Sequence, residues 1–282
     1  MPIGAGRTSA LLALHVAVAL FGFAALFGKW IALSPVAIVL GRTVIAAATL
    51  ALLVWMRHRP LGRPERALLV NGPLLALHWV SFFAAVQIAS VAIALFGYAS
   101  FPVFVLLLER GRRASGGEYA TALLAALGLA MLAAHLSWSG AGMRGLAIAL
   151  VSGVTFALLV VRNRRLVAGG SAARIAMWQN LAAGVCLLPI VALADRPAAW
   201  PRFADAALLL VLGVVCTGLA HTLFIASMRR VSAHSASVVA SLEPVYGIAL
   251  AAWLLGEKPD ARTMGGGVLI VVAALIASRR VE

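Results

Sequence analysis

The sequence predicts an all-α integral membrane protein of ten transmembrane helices, arranged as two inverted five-helix repeats around a central cavity. Three observations predict it: the composition, the spacing of long apolar stretches, and a weak internal repeat at about half the chain length. The chain is 63% hydrophobic and only 11% charged, which leaves little room for a soluble domain. We therefore treat residues 1–282 as one transmembrane domain.

Apolar stretches of suitable length follow one another along the chain with short connections. A helix needs about 20 apolar residues to cross the hydrocarbon core of a bilayer. We place ten spans at about residues 9–28, 34–56, 66–87, 90–109, 118–136, 143–161, 171–193, 205–228, 233–255 and 260–279. The first repeat then covers about residues 9–136, and the second repeat covers about residues 143–279.

The internal repeat becomes visible when the chain is shifted by 142 positions, which places residues 88–136 on residues 230–278 without a gap. Matching pairs are Ser90 with Ser232, Ala94 with Ala236, Pro102 with Pro244, Val103 with Val245 and Thr121 with Thr263. Five spans are an odd number, so the second repeat must be inverted in the membrane. Inverted repeats with a binding site between them are typical of secondary transporters.

The net charge of +14 is explained by the distribution of the basic residues. If the N-terminus is inside, the inner side carries Arg7, Arg57, Arg59, Arg63, Arg66, Arg110, Arg112, Arg113, Arg162, Arg164, Arg165, Arg174, Arg229, Arg230, Arg279 and Arg280. The outer side carries Lys29, Arg144, Arg196, Arg202, Lys258 and Arg262. This asymmetry follows the positive-inside rule. It predicts that both termini are cytoplasmic, and it accounts for the basicity without a nucleic-acid partner.

Signals for catalysis or for metal binding are missing from the sequence. There is no Gly-x-Ser-x-Gly elbow, no His-Glu-x-x-His motif and no pair of aspartates. Cys186 and Cys216 each lie inside an apolar span and lack the spacing of metal ligands. We therefore expect no enzymatic activity, no metal and no cofactor.

Two ionisable residues lie deep within predicted spans, Arg42 in the second and Glu243 in the ninth. A charge in the membrane is costly unless it is sheltered, so each marks a functional or structural position. Their opposite charges permit a direct or water-bridged pair. One interpretation gives them substrate contact or coupling to protons, and the other gives them the capping of broken helices.

Polar and aromatic residues in span interiors provide the candidate binding site. His78 and His221 hold near-equivalent repeat positions, and Thr217 shares a helical face with His221. The candidate substrate-binding residues are His78, Trp79, Phe82, Tyr98, Trp178, Gln179, Asn180, His221 and Tyr246. The rings would accept an apolar side chain, and the imidazole and amide groups would bind the amino and carboxylate ends of a zwitterionic amino acid. Helix–helix packing with a local hydrogen bond is the alternative for each of them.

Helix breakers stand at matching points of the two repeats, at Pro102 and Pro244. A proline inside a helix removes one backbone hydrogen bond and frees a carbonyl, which is tolerated beside a cavity. With Gly97 and Gly247 nearby, these residues are predicted to be hinges next to the substrate site.

The segment Ser241-Leu242-Glu243-Pro244-Val245, followed by Leu254-Leu255-Gly256-Glu257, resembles the signature of the EamA family of the drug/metabolite transporter superfamily. The ten spans, the two repeats and Arg42 in the second span match that family over essentially the whole chain. The finer pattern is similar to the bacterial aromatic amino-acid exporter branch. The resemblance implies export of small metabolites by alternating access, through a cavity lined chiefly by the third, fourth, eighth and ninth helices.

These observations predict an exporter of aromatic and other neutral amino acids with broad selectivity. The alternative within transporters is an exporter of cationic drugs or nucleosides, with Glu243 and Tyr246 binding the cation. Glu243 is the natural proton carrier if transport is antiport, whereas a facilitator would run down the substrate gradient. The expected partners are a small-molecule substrate and the lipid bilayer. Ten spans already enclose a cavity, so we expect a monomer.

Overall fold

The computed structural model of the protein describes residues 3–108, 115–134, 140–193, 201–240 and 242–279. All regular structure within these ranges is helical. The helices are α1 (Ile3–Trp30), α2 (Pro35–Met56), α3 (Arg66–Ile88), α4 (Val91–Tyr98), α5 (Phe101–Leu108), α6 (Gly116–Ala134), α7 (Ala141–Gly169), α8 (Ala172–Ala192), α9 (Phe203–Gly213), α10 (Ala220–Ser227), α11 (Ala233–Ala240), α12 (Glu243–Leu254) and α13 (Ala261–Arg279). A π-helical turn, Val214–Leu219, joins α9 to α10.

Six helical segments in the described ranges are long and apolar enough to cross a membrane: Gly6–Trp30, Pro35–Met56, Arg66–Ile88, Ala141–Gly169, Ala172–Ala192 and Phe203–Ser227. Shorter apolar helices cover Val91–Val105, Tyr119–Gly128 and Met264–Ala273. The predicted all-helical membrane class is confirmed. The predicted ends at residues 109 and 136, and the arginines at 110, 112, 113, 196 and 280, lie outside the described residues.

The predicted fourth and ninth spans are each divided into two helices. Helix α4 ends at Tyr98 and α5 begins at Phe101, while α11 ends at Ala240 and α12 begins at Glu243. Pro102 and Pro244 are the second residues of α5 and α12. Proline has no backbone N–H to donate and its φ suits a first turn, so it starts a helix more readily than it continues one.

The helices of the two halves pack against each other in exchangeable pairs. The first span (α1) packs on the eighth (α10) and ninth (α12), and the sixth span (α7) packs on the third (α3) and fourth (α4, α5). The second and seventh spans (α2, α8) pair with each other, as do the fifth and tenth (α6, α13). If each span of the first half exchanges places with the span five numbers later, the same set of contacts results.

Close approach of α1 and α12 depends on a glycine in each helix. A Cβ added to Gly22 would lie 2.9 Å from the backbone nitrogen of Gly247. A Cβ added to Gly247 would lie 3.1 Å from the carbonyl oxygen of Gly22 and 2.4 Å from a methyl group of Leu95. Small residues at such crossings let membrane helices come into backbone contact.

Carboxylates connect the two halves at the end of the bundle that carries few arginines. The backbone N–H of Ala32 donates to Asp205 Oδ1 at 3.0 Å. The backbone N–H of Val91, at the start of α4, donates to Glu257 Oε2 at 3.1 Å. A carboxylate beside the first turn of a helix satisfies a free N–H and interacts favourably with the helix dipole.

Replacing Glu257 with alanine is expected to destabilise the protein by about 1 kcal/mol, the typical effect of losing a helix cap. The matched control is Glu65→Ala, because Glu65 is the N-cap residue of α3 but its side chain makes no capping hydrogen bond. Thermal unfolding in detergent should show a lower midpoint for Glu257→Ala alone. Equal midpoints for the two variants would mean that the bond to Val91 contributes nothing to stability.

Candidate functional site

A small cavity lies at the centre of the bundle, next to both interrupted spans. Its volume is about 30 Å³, which is room for about one or two water molecules. It is lined by Phe21 and Ala24 of α1, Arg42 of α2, Leu75, His78, Trp79 and Phe82 of α3, Tyr98 of α4, Phe156 of α7, His221 of α10 and Glu243 of α12. Both halves of the chain therefore contribute charged, polar and aromatic groups to one cavity.

Arg42 supplies the positive charge of the cavity and is only 2% exposed. Its Nε donates to Thr217 Oγ1 at 2.9 Å, and its guanidinium carbon lies 4.0 Å from the centroid of the Trp79 ring. Stacking on an aromatic face stabilises a cation that has left water. The bond to Thr217 uses one of the five N–H donors of the guanidinium group, which is the group best suited to bidentate binding of a carboxylate.

The π-helical turn places Thr217 beside Arg42. The Thr217 hydroxyl donates to the carbonyl of Leu212 at 2.7 Å, five residues earlier in the chain. A π-helical turn widens the helix by one residue, and such turns are frequent at functional sites. The hydroxyl therefore satisfies a backbone carbonyl and at the same time accepts from the arginine.

Glu243 supplies the negative charge of the cavity and lies in the first turn of α12. The Tyr98 hydroxyl donates to the Glu243 carboxyl group. The other oxygen, Oε2, is buried and has no hydrogen-bond partner among the described residues. Arg42 and Glu243 share the cavity without a direct ion pair in the described part of the chain. A buried polar atom without a partner is rare, which indicates that a water, proton or ligand completes this site.

The two cavity histidines are held by polar neighbours and face aromatic rings. His78 Nδ1 lies 2.8 Å from Ser152 Oγ and its ring centroid lies 4.8 Å from that of Phe156. The ring centroid of His221 lies 5.8 Å from that of Trp79, with the two rings edge to face. Rings at these separations pack favourably and define flat walls.

Some of the residues expected at the site lie elsewhere. Trp178 donates from Nε1 to the carbonyl of Leu61 at 3.3 Å, in the connection between α2 and α3. Tyr246 is partly buried where α12 packs on α1. Asn180 lies one layer behind the cavity, where its Nδ2 is 3.4 Å from His221 Nδ1.

Gln179 belongs to a second polar cluster near the arginine-rich end of the bundle. It donates to Asn163 of α7, which in turn accepts from Asn71 Nδ2 of α3 at 3.2 Å. Arg162 donates to Asn71 from the same helix as Asn163. The cluster joins the third, sixth and seventh spans.

The residues expected to be hinges stand at tight helix contacts beside the cavity. A Cβ added to Gly97 would lie 2.7 Å from the Ala149 Cβ of α7, and Gly247 meets α1 as described above. Pro102 and Pro244 lie in the first turns of the second helices of the interrupted spans. The lining residues Phe21, Ala24, Leu75 and Phe156 were not among the candidates, because apolar residues in apolar spans carry no distinguishing signal.

A membrane bundle whose halves meet at a polar cavity next to broken helices has the build of a secondary transporter. The family model for EamA-like transporters matches residues 143–279 of the chain. The pseudopaline exporter CntI of Pseudomonas aeruginosa is 30% identical over 250 residues, which are 83% of this chain and 83% of that exporter. An uncharacterized transporter of Archaeoglobus fulgidus is 29% identical over 223 residues, which are 78% of this chain and 79% of the relative. The chain belongs to the EamA-like transporter family.

The fold has a counterpart among solved structures. One crystal structure of a protein superposes with a TM-score of 0.78 and covers 98% of this chain and 99% of its own. The two sequences are 21% identical, so this likeness concerns the fold. Together with the relatives, it makes the protein a multi-pass membrane transporter.

Proposed function

We propose that the protein exports small zwitterionic metabolites, foremost aromatic and other neutral amino acids, across the bacterial inner membrane. The observation that carries the proposal is the placement of Arg42 and of the unpartnered Glu243 Oε2 in one aromatic cavity. The substrate carboxylate binds the guanidinium of Arg42, and the ammonium group binds Glu243. The relative named as a pseudopaline exporter supports export of a small metabolite.

The aromatic walls explain why selectivity should be broad. Trp79, Phe82, Tyr98 and Phe156 offer flat apolar surfaces to the substrate side chain. An apolar pocket distinguishes side chains weakly, whereas a polar site that must be matched rejects other ligands strongly. Leucine, methionine and phenylalanine are therefore expected to compete with one another.

Transport requires the helices around the cavity to move, because its present volume of about 30 Å³ cannot hold an amino acid. We propose that the two repeats are related by an inverted pseudo-twofold axis and that they open alternately to each side. The exchangeable contacts between the halves support this relation. The broken fourth and ninth spans supply hinges at Gly97, Pro102, Pro244 and Gly247.

Opening at either end breaks a small set of polar contacts. At the arginine-rich end these are the bonds among Asn71, Asn163 and Gln179. At the opposite end they are the bonds that Asp205 and Glu257 accept. We propose that the arginine-rich end is cytoplasmic, with both termini there, as the positive-inside rule requires. One chain encloses the whole cavity, so the transporting unit is a monomer.

The test is uptake of radiolabelled phenylalanine and methionine into proteoliposomes, with and without an imposed pH gradient. We expect saturable uptake that unlabelled amino acid accelerates from inside, because a carrier exchanges substrate and a channel does not. We also expect no stimulation by the gradient, since Glu243 binds the ammonium group rather than a transported proton. Absence of uptake for every amino acid would overturn the proposal.

Replacing Glu243 with glutamine tests the same assignment. The KM of the variant for amino acids should be at least tenfold higher, because a neutral amide lacks the charge that pairs with the ammonium group. Its uptake should still be the same with and without a pH gradient. Glu65→Gln, at an exposed loop position, should match the wild-type protein. If a pH gradient drives wild-type uptake and Glu243→Gln abolishes that drive, Glu243 is the proton carrier.

A second candidate substrate class is organic cations, including drugs and nucleosides. The buried Glu243 Oε2, next to the Tyr98 ring, favours it, since carboxylates and aromatic faces bind cations. The positive charge of Arg42 in the same cavity would repel a cation, which argues against this substrate class. Inhibition of phenylalanine uptake by a quaternary ammonium dye would support this class, and the absence of inhibition would exclude such cations.

A further inference from the structure

We propose that a lateral groove between α2, α8 and α10 binds an anionic phospholipid, with an acyl chain in the groove and the phosphate at Arg57. The groove has a volume of about 220 Å³ and is therefore several times larger than the central cavity. Its walls include Leu50, Leu53, Val214 and Leu219, with Arg57 and Ala173 at one end. This inference does not depend on which substrate the protein transports.

The groove lies on the outer surface of the bundle. Leu53 is 44% exposed and Leu219 is 48% exposed, so the described chain does not cover them. In a membrane protein such side chains face lipid. Along α2 the groove runs from Thr49 to Arg57, which is about 12 Å at 1.5 Å per residue. One leaflet of the hydrocarbon core is about 15 Å deep, so the groove fits most of an inner-leaflet acyl chain.

The mouth of the groove is positively charged. Arg57 is exposed at the end of α2, with no carboxylate partner in the part of the chain that the structure describes. Arg174 follows Ala173 in sequence, and Arg229 donates to the Gly170 carbonyl nearby. Helix α8 also begins here, and its N-cap Ser171 makes no side-chain capping bond. Basic pockets between helices at the cytoplasmic surface bind anionic headgroups.

One buried polar atom on the groove wall points to an ester-bearing ligand. Thr222 Oγ1 is buried without a hydrogen-bond partner, although a threonine in a membrane helix normally bonds a carbonyl one turn back. Thr49, which also lines the groove, makes that bond to Ile45 at 2.8 Å. Thr222 is the third residue of α10, and rotation of its side chain towards the groove would let the hydroxyl donate to a glycerol ester carbonyl. The groove wall contains no acid, so the ammonium group of an amino acid would have no partner there.

The test is a titration of the purified full-length protein in detergent, with binding read by native mass spectrometry and by thermal unfolding. Phosphatidylglycerol is compared with phosphatidylcholine of the same acyl chains and with glycerol phosphate alone. We expect phosphatidylglycerol to bind and to raise the unfolding midpoint. We expect phosphatidylcholine to bind at least fivefold more weakly, and glycerol phosphate not to compete.

Two variants locate the binding. Arg57→Ala should weaken phosphatidylglycerol binding about fivefold, equivalent to about 1 kcal/mol, and Leu219→Trp should abolish it by filling the groove. The controls are Arg59→Ala, at an exposed loop position, and Leu52→Trp, 53% exposed outside the groove. Equal binding of both lipids, competition by glycerol phosphate, or equal effects of Arg57→Ala and Arg59→Ala would overturn the proposal.

Discussion

Replacing Arg42 with alanine is expected to reduce amino-acid uptake into proteoliposomes at least about 30-fold, because truncating one partner of a buried charge pair costs about 2–5 kcal/mol. The guanidinium is almost fully buried, lies over Trp79 and bonds Thr217. Without it, a substrate carboxylate would lose its hydration and find no cation. The loss should appear mainly as a higher KM, measured from the concentration dependence of initial uptake rates.

Two conservative variants separate binding from folding at this position. Arg42→Lys keeps the charge but loses the planar fork, so it should remain stable and still bind substrate poorly. Thr217→Val keeps the guanidinium and removes the hydrogen bond to Nε together with the bond to the Leu212 carbonyl, so it should have a smaller effect on substrate binding. Arg59→Ala, in the exposed loop, should behave as wild type. A structural role would be indicated if Arg42→Ala lowered the unfolding midpoint while the residual uptake kept its KM.

The all-helical membrane class could be predicted because the bilayer imposes the length and apolarity of the helices that cross it. The breaks in the fourth and ninth spans could also be predicted, since each follows from a proline at the same repeat position. The π-helical turn at Val214–Leu219 could not. Its residues are ordinary for a membrane helix, and only the contact of Thr217 with Arg42 distinguishes it.

The cavity was partly predictable from polar and aromatic residues in span interiors. His78, Trp79, Phe82, Tyr98 and His221 meet there with the two charges. His78, Trp79, Tyr98 and His221 carry polar groups that need a hydrogen-bond partner in an apolar environment. Their presence in apolar spans was therefore a usable signal.

Trp178, Gln179 and Asn180 show what that signal cannot decide, since none of the three lines the cavity. Successive helical residues point about 100° apart, so three in a row cannot all face one cavity. Trp178 turns to a loop carbonyl, Gln179 to the Asn163 cluster and Asn180 towards His221. The choice among them depends on how α8 is rotated against α2 and α3, and that rotation is set by packing between distant segments.

That packing is tested most directly by replacing Gly72 with alanine, which is expected to destabilise the protein by about 1–3 kcal/mol, the usual range for overpacking a close contact. A Cβ added to Gly72 of α3 would lie 2.3 Å from the Ala182 Cβ and 2.8 Å from the Ala182 carbonyl carbon of α8. Because the clash involves backbone atoms, rotating a side chain does not relieve it, and α3 and α8 must separate.

The matched control is Gly169→Ala, since a Cβ on Gly169, at the end of α7, meets no described atom within 4 Å. Alanine is the better helix former, so this variant should be as stable as the wild-type protein. Thermal unfolding in detergent compares the two. Adding Ala182→Gly to Gly72→Ala should recover part of the loss, because it removes the shorter of the two contacts. The recovery should stay incomplete, since the backbone of α8 remains in place. Equal stability of Gly72→Ala and Gly169→Ala would contradict the close crossing that orients α3, and with it His78, Trp79 and Phe82, towards the cavity.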